Sequence, residues 1–155
     1  MRVAEAAVAQ GESMLATVGL GSCVAIVLHD AAAQVGGLAH VLLPTDTMAR
    51  DRSNRAKFPA SAVQLLLEQM RALGAQDRRI TARLAGGASM FTNLLPAGGL
   101  QIGERNVLAC RLALAQARIP VTAEDTGGGH GRSIYFRTAD GCVEVRSMAR
   151  GHVIL

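Results

Sequence analysis

Two short apolar runs separated by a polar loop stand out in the first third of the chain. They cover residues 24–28 and 38–43. Apolar runs of this length joined by a turn predict a β-hairpin. The first run begins directly after Cys23, and the second carries His40 in its middle. Two neighbouring strands can therefore present a thiol and an imidazole to each other.

The rest of the chain is predicted to consist of further short strands and two amphipathic helices. Apolar positions recur at helical spacing over residues 59–73 and 103–117. Residues 1–13 are interpreted as a leading strand or an arm, and residues 86–100 as an irregular loop. The predicted strands cover residues 15–18, 24–29, 35–43, 80–85, 121–124, 132–137 and 142–146. This order predicts one α+β domain over residues 1–155, a layered β-sandwich of mostly antiparallel strands flanked by helices.

A polar stretch, residues 45–57, follows the hairpin and has no apolar periodicity. Its length and its position after the strand with His40 are typical of a lid or docking segment over a site. A plain surface loop is the alternative interpretation.

Composition and charge exclude several classes of protein. Hydrophobic residues are 50% and charged residues 18%, which predicts a packed core and excludes disorder. The net charge of +4 comes from scattered arginines, with Lys57 the only lysine. Without a recognisable module or stacking aromatic residues, this charge does not indicate nucleic-acid binding. Three cysteines, no signal-peptide pattern and no apolar run of membrane-spanning length predict a cytoplasmic protein without membrane insertion.

The glycine-rich bend before Cys23 changes how the two candidate side chains are interpreted. A cysteine on an apolar strand is usually an inert core thiol, and a lone buried histidine is usually structural. Here Gly21 and Ser22 precede the thiol, and N–H groups of such a bend can converge on an anion and form an oxyanion hole. His40 opposite the thiol can take its proton and later return one. A third group normally orients the imidazole, and Thr17 is the candidate.

These residues also allow other interpretations. Ser22 and Asp30 are the alternatives to Thr17 as the orienting group. A metal site would use Cys23, His29, His40, His130 and Cys142, but no pair has the short spacing of zinc ligands. The glycine clusters at 86–87 and 127–131 match no nucleotide-binding motif. Cys110 and Cys142 are interpreted as structural.

At this point the sequence resembles the CheD family of chemoreceptor glutamine deamidases. The resemblance extends over nearly the whole chain and is specific because its motifs occur as an ordered set. They are GLGSCV at 19–24, GGLAH at 36–40, LP at 43–44, NRAK at 54–57, AGGA at 85–88, MF at 90–91, IGERN at 102–106 and residues 125–132.

The resemblance implies a nucleophile at Cys23, a general base at His40 and a catalytic threonine at Thr17. It also implies a sandwich similar to the catalytic domain of deamidating toxins, no metal or organic cofactor, and a chemoreceptor cytoplasmic domain as substrate. The phosphatase CheC is an implied partner. Two alternatives stay open: a non-catalytic adaptor that binds chemoreceptors or CheC, and a thiol hydrolase or acyltransferase with another substrate.

Overall fold

The structure is a computed structural model that describes residues 1–89 and 101–155. Two β-sheets and two α-helices make up the regular part of the fold. The elements are β1 (Ala6–Gln10), β2 (Met14–Leu20), β3 (Val24–Asp30), β4 (Val35–Val41), α1 (Pro59–Ala72), β5 (Thr81–Gly86), α2 (Ile102–Gln116), β6 (Val121–Thr126), β7 (Arg132–Arg137), β8 (Val143–Ser147) and β9 (Gly151–Ile154). Both predicted helices are confirmed, each to within one or two residues of its predicted ends.

The strands are divided between a five-stranded and a four-stranded sheet. The first has the order β1-β4-β3-β5-β6, and the second has the order β2-β7-β8-β9. Within the described residues, only the β5–β6 pairing is parallel. The predicted hairpin of β3 and β4 is confirmed, as is the hairpin of β7 and β8.

Strands β3 and β4 lie at the centre of three layers, so both of their faces are buried. One face, which includes Ile26, packs against α1 and α2 in the larger apolar cluster. The opposite face, which includes Val27, packs against Ile134 and Phe136 of the second sheet. A Cβ at Gly36 would overlap the Phe136 ring, so glycine is needed where the two sheets approach each other. The predicted layered α+β sandwich is therefore confirmed.

Three segments differ from the predicted elements or lie partly outside the described residues. The polar loop at 45–57 contains two single turns of 3₁₀ helix, Asp46–Met48 and Arg55–Lys57. Strand β9 was missed because four residues are too few to show a clear alternation. Most of the predicted loop at 86–100, from residue 90 onward, lies outside the described residues.

Asp30 anchors the end of β3 through a buried carboxylate. The guanidinium of Arg79 donates to both carboxylate oxygens at about 2.9–3.0 Å, and the backbone N–H groups of Ala32, Ala33 and Gln76 donate as well. Burial alone would raise the pKa of Asp30, but these hydrogen bonds outweigh it and lower the pKa to about 2. The Asp30 carboxylate therefore stabilises the folded state, and it makes no contact with His40.

Asp30→Asn is expected to lower the free energy of unfolding by about 2 kcal/mol at neutral pH, because the folded-state pKa lies below its ordinary value. This stabilisation is complete above pH 3.8 and is lost as pH falls toward 2. Urea unfolding of both proteins at neutral and acidic pH measures the difference. The control is Asp140→Asn, which removes an exposed ion pair with Arg137, keeps an oxygen that can accept from the Cys142 N–H, and is expected to change little. If Asp30→Asn lowered the free energy of unfolding by the same amount at neutral and acidic pH, the stabilisation would not come from the ionised carboxylate.

Candidate active site

The register of the β3–β4 hairpin places Cys23 and His40 on the same face of the sheet. Ala25 pairs with His40, and Cys23 lies two residues before Ala25. Because side chains alternate along a strand, Cys23, Ala25 and His40 all face the second sheet. The thiol and the imidazole are thus diagonal neighbours across an antiparallel pair, a separation that long side chains can span.

The second sheet supplies a third side chain to this buried region. Thr17 on β2 is fully buried, as is His40, and its Oγ1 lies 2.7 Å from His40 Nδ1. The same hydroxyl donates a hydrogen bond to the main-chain carbonyl of Met1 at 3.1 Å. The contact brings together two residues that lie 23 positions apart and belong to different sheets. Thr17 therefore lies against the imidazole, whereas Asp30 is bound to Arg79.

The other ring nitrogen of His40 is buried and has no hydrogen-bond partner in the described part of the chain. Within residues 1–89 and 101–155, no group forms a hydrogen bond with His40 Nε2. Leaving a buried polar atom without a partner costs free energy, so such an atom needs an explanation. A role for this nitrogen as a proton acceptor during a reaction would explain why it has no hydrogen-bond partner.

Burial keeps both candidate groups electrically neutral. Desolvation raises the pKa of the Cys23 thiol above 9.0, against an opposing effect of its own backbone N–H. Desolvation also lowers the pKa of His40 below its ordinary 6.5. At neutral pH the resting pair is therefore a thiol and a neutral imidazole. The thiol needs a base to become a nucleophile, and a neutral imidazole is one.

Hydrogen bonds hold three successive carbonyls around the glycine-rich bend. The carbonyls of Gly21 and Cys23 accept from the backbone N–H groups of Ala88 and Gly87, both at 2.8 Å. The carbonyl of Ser22 accepts from Nδ2 of a side chain on α2, that of Asn106, also at 2.8 Å. The bend that carries the nucleophile candidate is thus bound to the β5 end and to α2.

Two groups near the site were not identified from the sequence. Asn106 lies in the IGERN motif at residues 102–106, which is part of the resemblance to the CheD family. A polar residue on the inner face of a predicted helix is the sequence feature that could have pointed to it. Nothing in the sequence indicates the Met1 carbonyl, because every residue has a main-chain carbonyl group.

The remaining candidate ligands do not come together with Cys23. His29, one of the candidate ligands, is hydrogen bonded through Nε2 to the carbonyl of Thr138 at 2.9 Å. Cys110, interpreted as structural, lies on the buried face of α2 in the larger apolar cluster. In the described part of the chain, no three His, Cys, Asp or Glu side chains are grouped as metal ligands would be. The absence of a metal or cofactor stays a prediction.

The polar loop at 45–57 is tied to the end of β4. The backbone N–H groups of Leu42 and Leu43 both donate to the carbonyl of Lys57. Arg55 forms a bidentate ion pair with Glu68 of α1, which neutralises part of the positive charge of this loop. A role of the loop as a lid or docking segment stays a prediction.

Comparison with known proteins identifies the class. Residues 42–147 match the family model described as CheD chemotactic sensory transduction. Proteins named "Probable chemoreceptor glutamine deamidase CheD" from Caldanaerobacter subterraneus subsp. tengcongensis and Pyrococcus abyssi are 43% and 44% identical, over 96% and 98% of this chain and 92% and 93% of theirs. "Probable chemoreceptor glutamine deamidase CheD 2" from Geobacter metallireducens is 46% identical over 94% of this chain and 91% of its own.

These matches place the chain among proteins of chemotactic signal transduction. It belongs to the CheD family. The family model begins at residue 42, after Thr17, Cys23 and His40, whereas the alignments with the relatives cover nearly the whole chain. Neither α-helix of the described residues is long and apolar enough to span a membrane.

Proposed function

We propose that this protein is a chemoreceptor glutamine deamidase in which Cys23 is the nucleophile, His40 the general base and Thr17 the group that orients the imidazole. One observation carries the assignment of roles. The Thr17 hydroxyl contacts His40 Nδ1 at 2.7 Å, and the buried Nε2, on the face shared with Cys23, has no partner among residues 1–89 and 101–155. The names of the relatives support the reaction and the substrate.

The contacts of Thr17 support one tautomer of His40 in the proposed mechanism. A threonine hydroxyl has a single proton, and in the proposed arrangement this proton is donated to the carbonyl of Met1. The contact between Oγ1 and Nδ1 then requires that Nδ1–H donates to Oγ1. A neutral imidazole carries one N–H, so Nε2 holds a lone pair that can accept the Cys23 proton.

The proposed reaction proceeds through a thioester. His40 Nε2 removes the proton from Cys23 Sγ, and the sulfur attacks the side-chain carboxamide carbon of the substrate glutamine. N–H groups of the bend, including residues Gly21 and Ser22, stabilise the developing oxyanion. The imidazolium returns its proton to the leaving nitrogen, ammonia departs, and a thioester remains. His40 then activates a water molecule, which hydrolyses the thioester to glutamate and restores the thiol.

This chemistry uses only groups of the protein and the substrate. The buried surroundings strengthen the interaction between the oxyanion and the N–H dipoles, because less water screens it. No cofactor enters any step, in keeping with the prediction from the family resemblance.

The substrate is proposed to be a glutamine on the cytoplasmic part of a chemoreceptor, which places the enzyme in the cytoplasm. Conversion to glutamate adds one negative charge and creates a carboxylate that can be methylated. The family resemblance implies CheC as a further partner, and we retain that as a proposal. A purely non-catalytic adaptor would have no use for a buried, unpartnered imidazole nitrogen beside a thiol.

Ammonia release from a chemoreceptor cytoplasmic fragment tests the proposal. Release at a rate proportional to enzyme concentration is expected. A folded enzyme that binds the fragment but releases no ammonia would refute the proposed activity and favour the adaptor.

Thr17→Val is expected to lower kcat about 100-fold. Without the hydrogen bond to Thr17 the imidazole of His40 is no longer held in one orientation, and a small misplacement of a catalytic group costs a factor of this size. KM is expected to change little, since Thr17 is fully buried and does not reach the substrate. Thr17→Ser keeps the hydroxyl and is the matched control, with kcat expected within about tenfold of the wild type. Equal losses in Val and Ser variants would show that packing, and not the hydroxyl, matters at this position.

A further inference from the structure

Asn106 connects the two backbone segments that carry the proposed nucleophile and base. It lies in the second turn of α2 and is fully buried. Its Nδ2 donates to the carbonyl of Ser22 at 2.8 Å and to the carbonyl of Leu42 at 3.1 Å. Ser22 directly precedes Cys23, and Leu42 follows His40 by two residues. A single amide group therefore holds both segments at one point.

The hydrogen bond to Ser22 also determines the direction of a neighbouring N–H group. The Ser22 carbonyl and the Cys23 N–H belong to one planar trans peptide unit, so they point in opposite directions. While Asn106 holds the carbonyl toward α2, the N–H points away from α2. The backbone N–H of Cys23 opposes the effect of burial and lowers the pKa of the thiol, so the direction of this N–H bears on the reactivity of the sulfur.

The middle carbonyl of the bend is the one bound by a side chain. The carbonyls on either side, of Gly21 and Cys23, are bound by backbone N–H groups of the segment at 87–88. Backbone partners are independent of side-chain identity, whereas the partner of Ser22 depends on which residue occupies position 106. The position of the Ser22 carbonyl therefore depends on the side chain of Asn106.

The chemistry of asparagine fits this position better than that of an apolar residue. The position is fully buried, and its neighbours on the inner face of α2 include Val107, Cys110 and Leu114. Asn106 Oδ1 is buried and has no partner within the described residues. An unpartnered buried oxygen costs free energy, so packing alone would favour an apolar side chain. The Nδ2 amide group of asparagine has two N–H donors, one for each of the carbonyls of Ser22 and Leu42.

We propose that Asn106 is a positioning residue that sets the alignment of Cys23 with His40 and the direction of the Cys23 N–H. This inference rests on the proposed role of Cys23 as the nucleophile. Asn106 acts through the peptide unit it holds and does not touch the substrate.

Alkylation of Cys23 by iodoacetamide, measured as a function of pH, tests this inference without any receptor. Peptide mass mapping separates Cys23 from Cys110 and Cys142. Asn106→Ala is expected to raise the pH midpoint of Cys23 alkylation by about one unit, which lowers the rate below that midpoint about tenfold. With a receptor fragment, kcat is expected to fall about 100-fold with KM little changed.

Two further variants separate positioning from packing. Asn106→Leu keeps the branched shape and the number of side-chain heavy atoms but has no donor, so it should show the same alkylation defect as Asn106→Ala. Leu114→Ala removes a fully buried side chain from the same helix. It should lose thermal stability and keep the wild-type pH profile of Cys23.

The outcomes distinguish this inference from the proposed function. Wild-type alkylation of Cys23 that does not depend on His40 would undermine the proposed mechanism itself. If Cys23 of the wild type is reactive and depends on His40, but the pH profile of Cys23 alkylation is unchanged in Asn106→Leu, only the role of Asn106 would be overturned. Failure of both Asn106 variants to fold would also overturn it, since the residue would then act on the stability of the fold.

Discussion

Replacing Cys23 with alanine is expected to lower the rate of glutamine deamidation by a factor on the order of 10⁴ or more, because the proposed thioester forms on its sulfur. The substitution removes a single sulfur atom from a side chain that is 8% exposed, so the fold should persist. Receptor binding should persist as well. Ammonia release and binding to a receptor fragment, measured on the same preparation, check both expectations.

The other two cysteines provide matched controls for this prediction. Cys142 is half-buried directly before β8. Cys110 lies on the buried face of α2, where burial raises the pKa of its thiol. Cys142→Ala is expected to keep wild-type activity. If Cys23→Ala retained substantial activity, or if Cys142→Ala lost it, the nucleophile would have been assigned to the wrong residue.

Replacing His40 with glutamine is expected to lower kcat about 10²-fold to 10⁴-fold, the usual contribution of a general base. The chain offers a matched control in His29, which is also a buried histidine on the same hairpin but contacts Thr138 and the Phe136 ring. His29→Gln is expected to lower stability while keeping the activity of the folded protein. Equal losses of kcat in the two variants would indicate a structural effect.

The lowered pKa of His40 also determines the acid side of the pH profile. Burial lowers this pKa below 6.5, so Nε2 is already unprotonated at neutral pH. As pH falls through the lowered pKa, the imidazole becomes charged and can no longer accept the thiol proton. The profile of kcat/KM in wild type should therefore lose activity only below pH 6.5. An acid limb centred above that value would contradict the effect of burial.

Local patterns were sufficient to predict the hairpin and to place its two candidate catalytic side chains on one face. Apolar runs of strand length and the intervening turn defined β3 and β4, and the alternation of side chains placed Cys23 and His40 on one face. The helices followed from apolar spacing with Pro59 at one start and Gly74 beyond one end. Each of these signals is contained within a few neighbouring residues.

Contacts between layers could not be obtained in the same way. The hydrogen bond between Thr17 and His40 exists because the second sheet packs on the first, and no local pattern gives that arrangement. The family resemblance implied Thr17, whereas the residues alone left Asp30 open until its ion pair with Arg79 was seen. Asn106 reaches the bend from a helix more than 80 positions away.

Mass spectrometry of a chemoreceptor cytoplasmic fragment incubated with this protein tests the central claim most directly. The fragment is digested, and each glutamine-containing peptide is compared after treatment with wild type, Cys23→Ala and His40→Gln. The account predicts conversion of specific glutamines to glutamate by the wild type, none by Cys23→Ala and strongly slowed conversion by His40→Gln. Conversion at the wild-type rate by Cys23→Ala, or no conversion by a folded wild-type protein that binds the fragment, would contradict it.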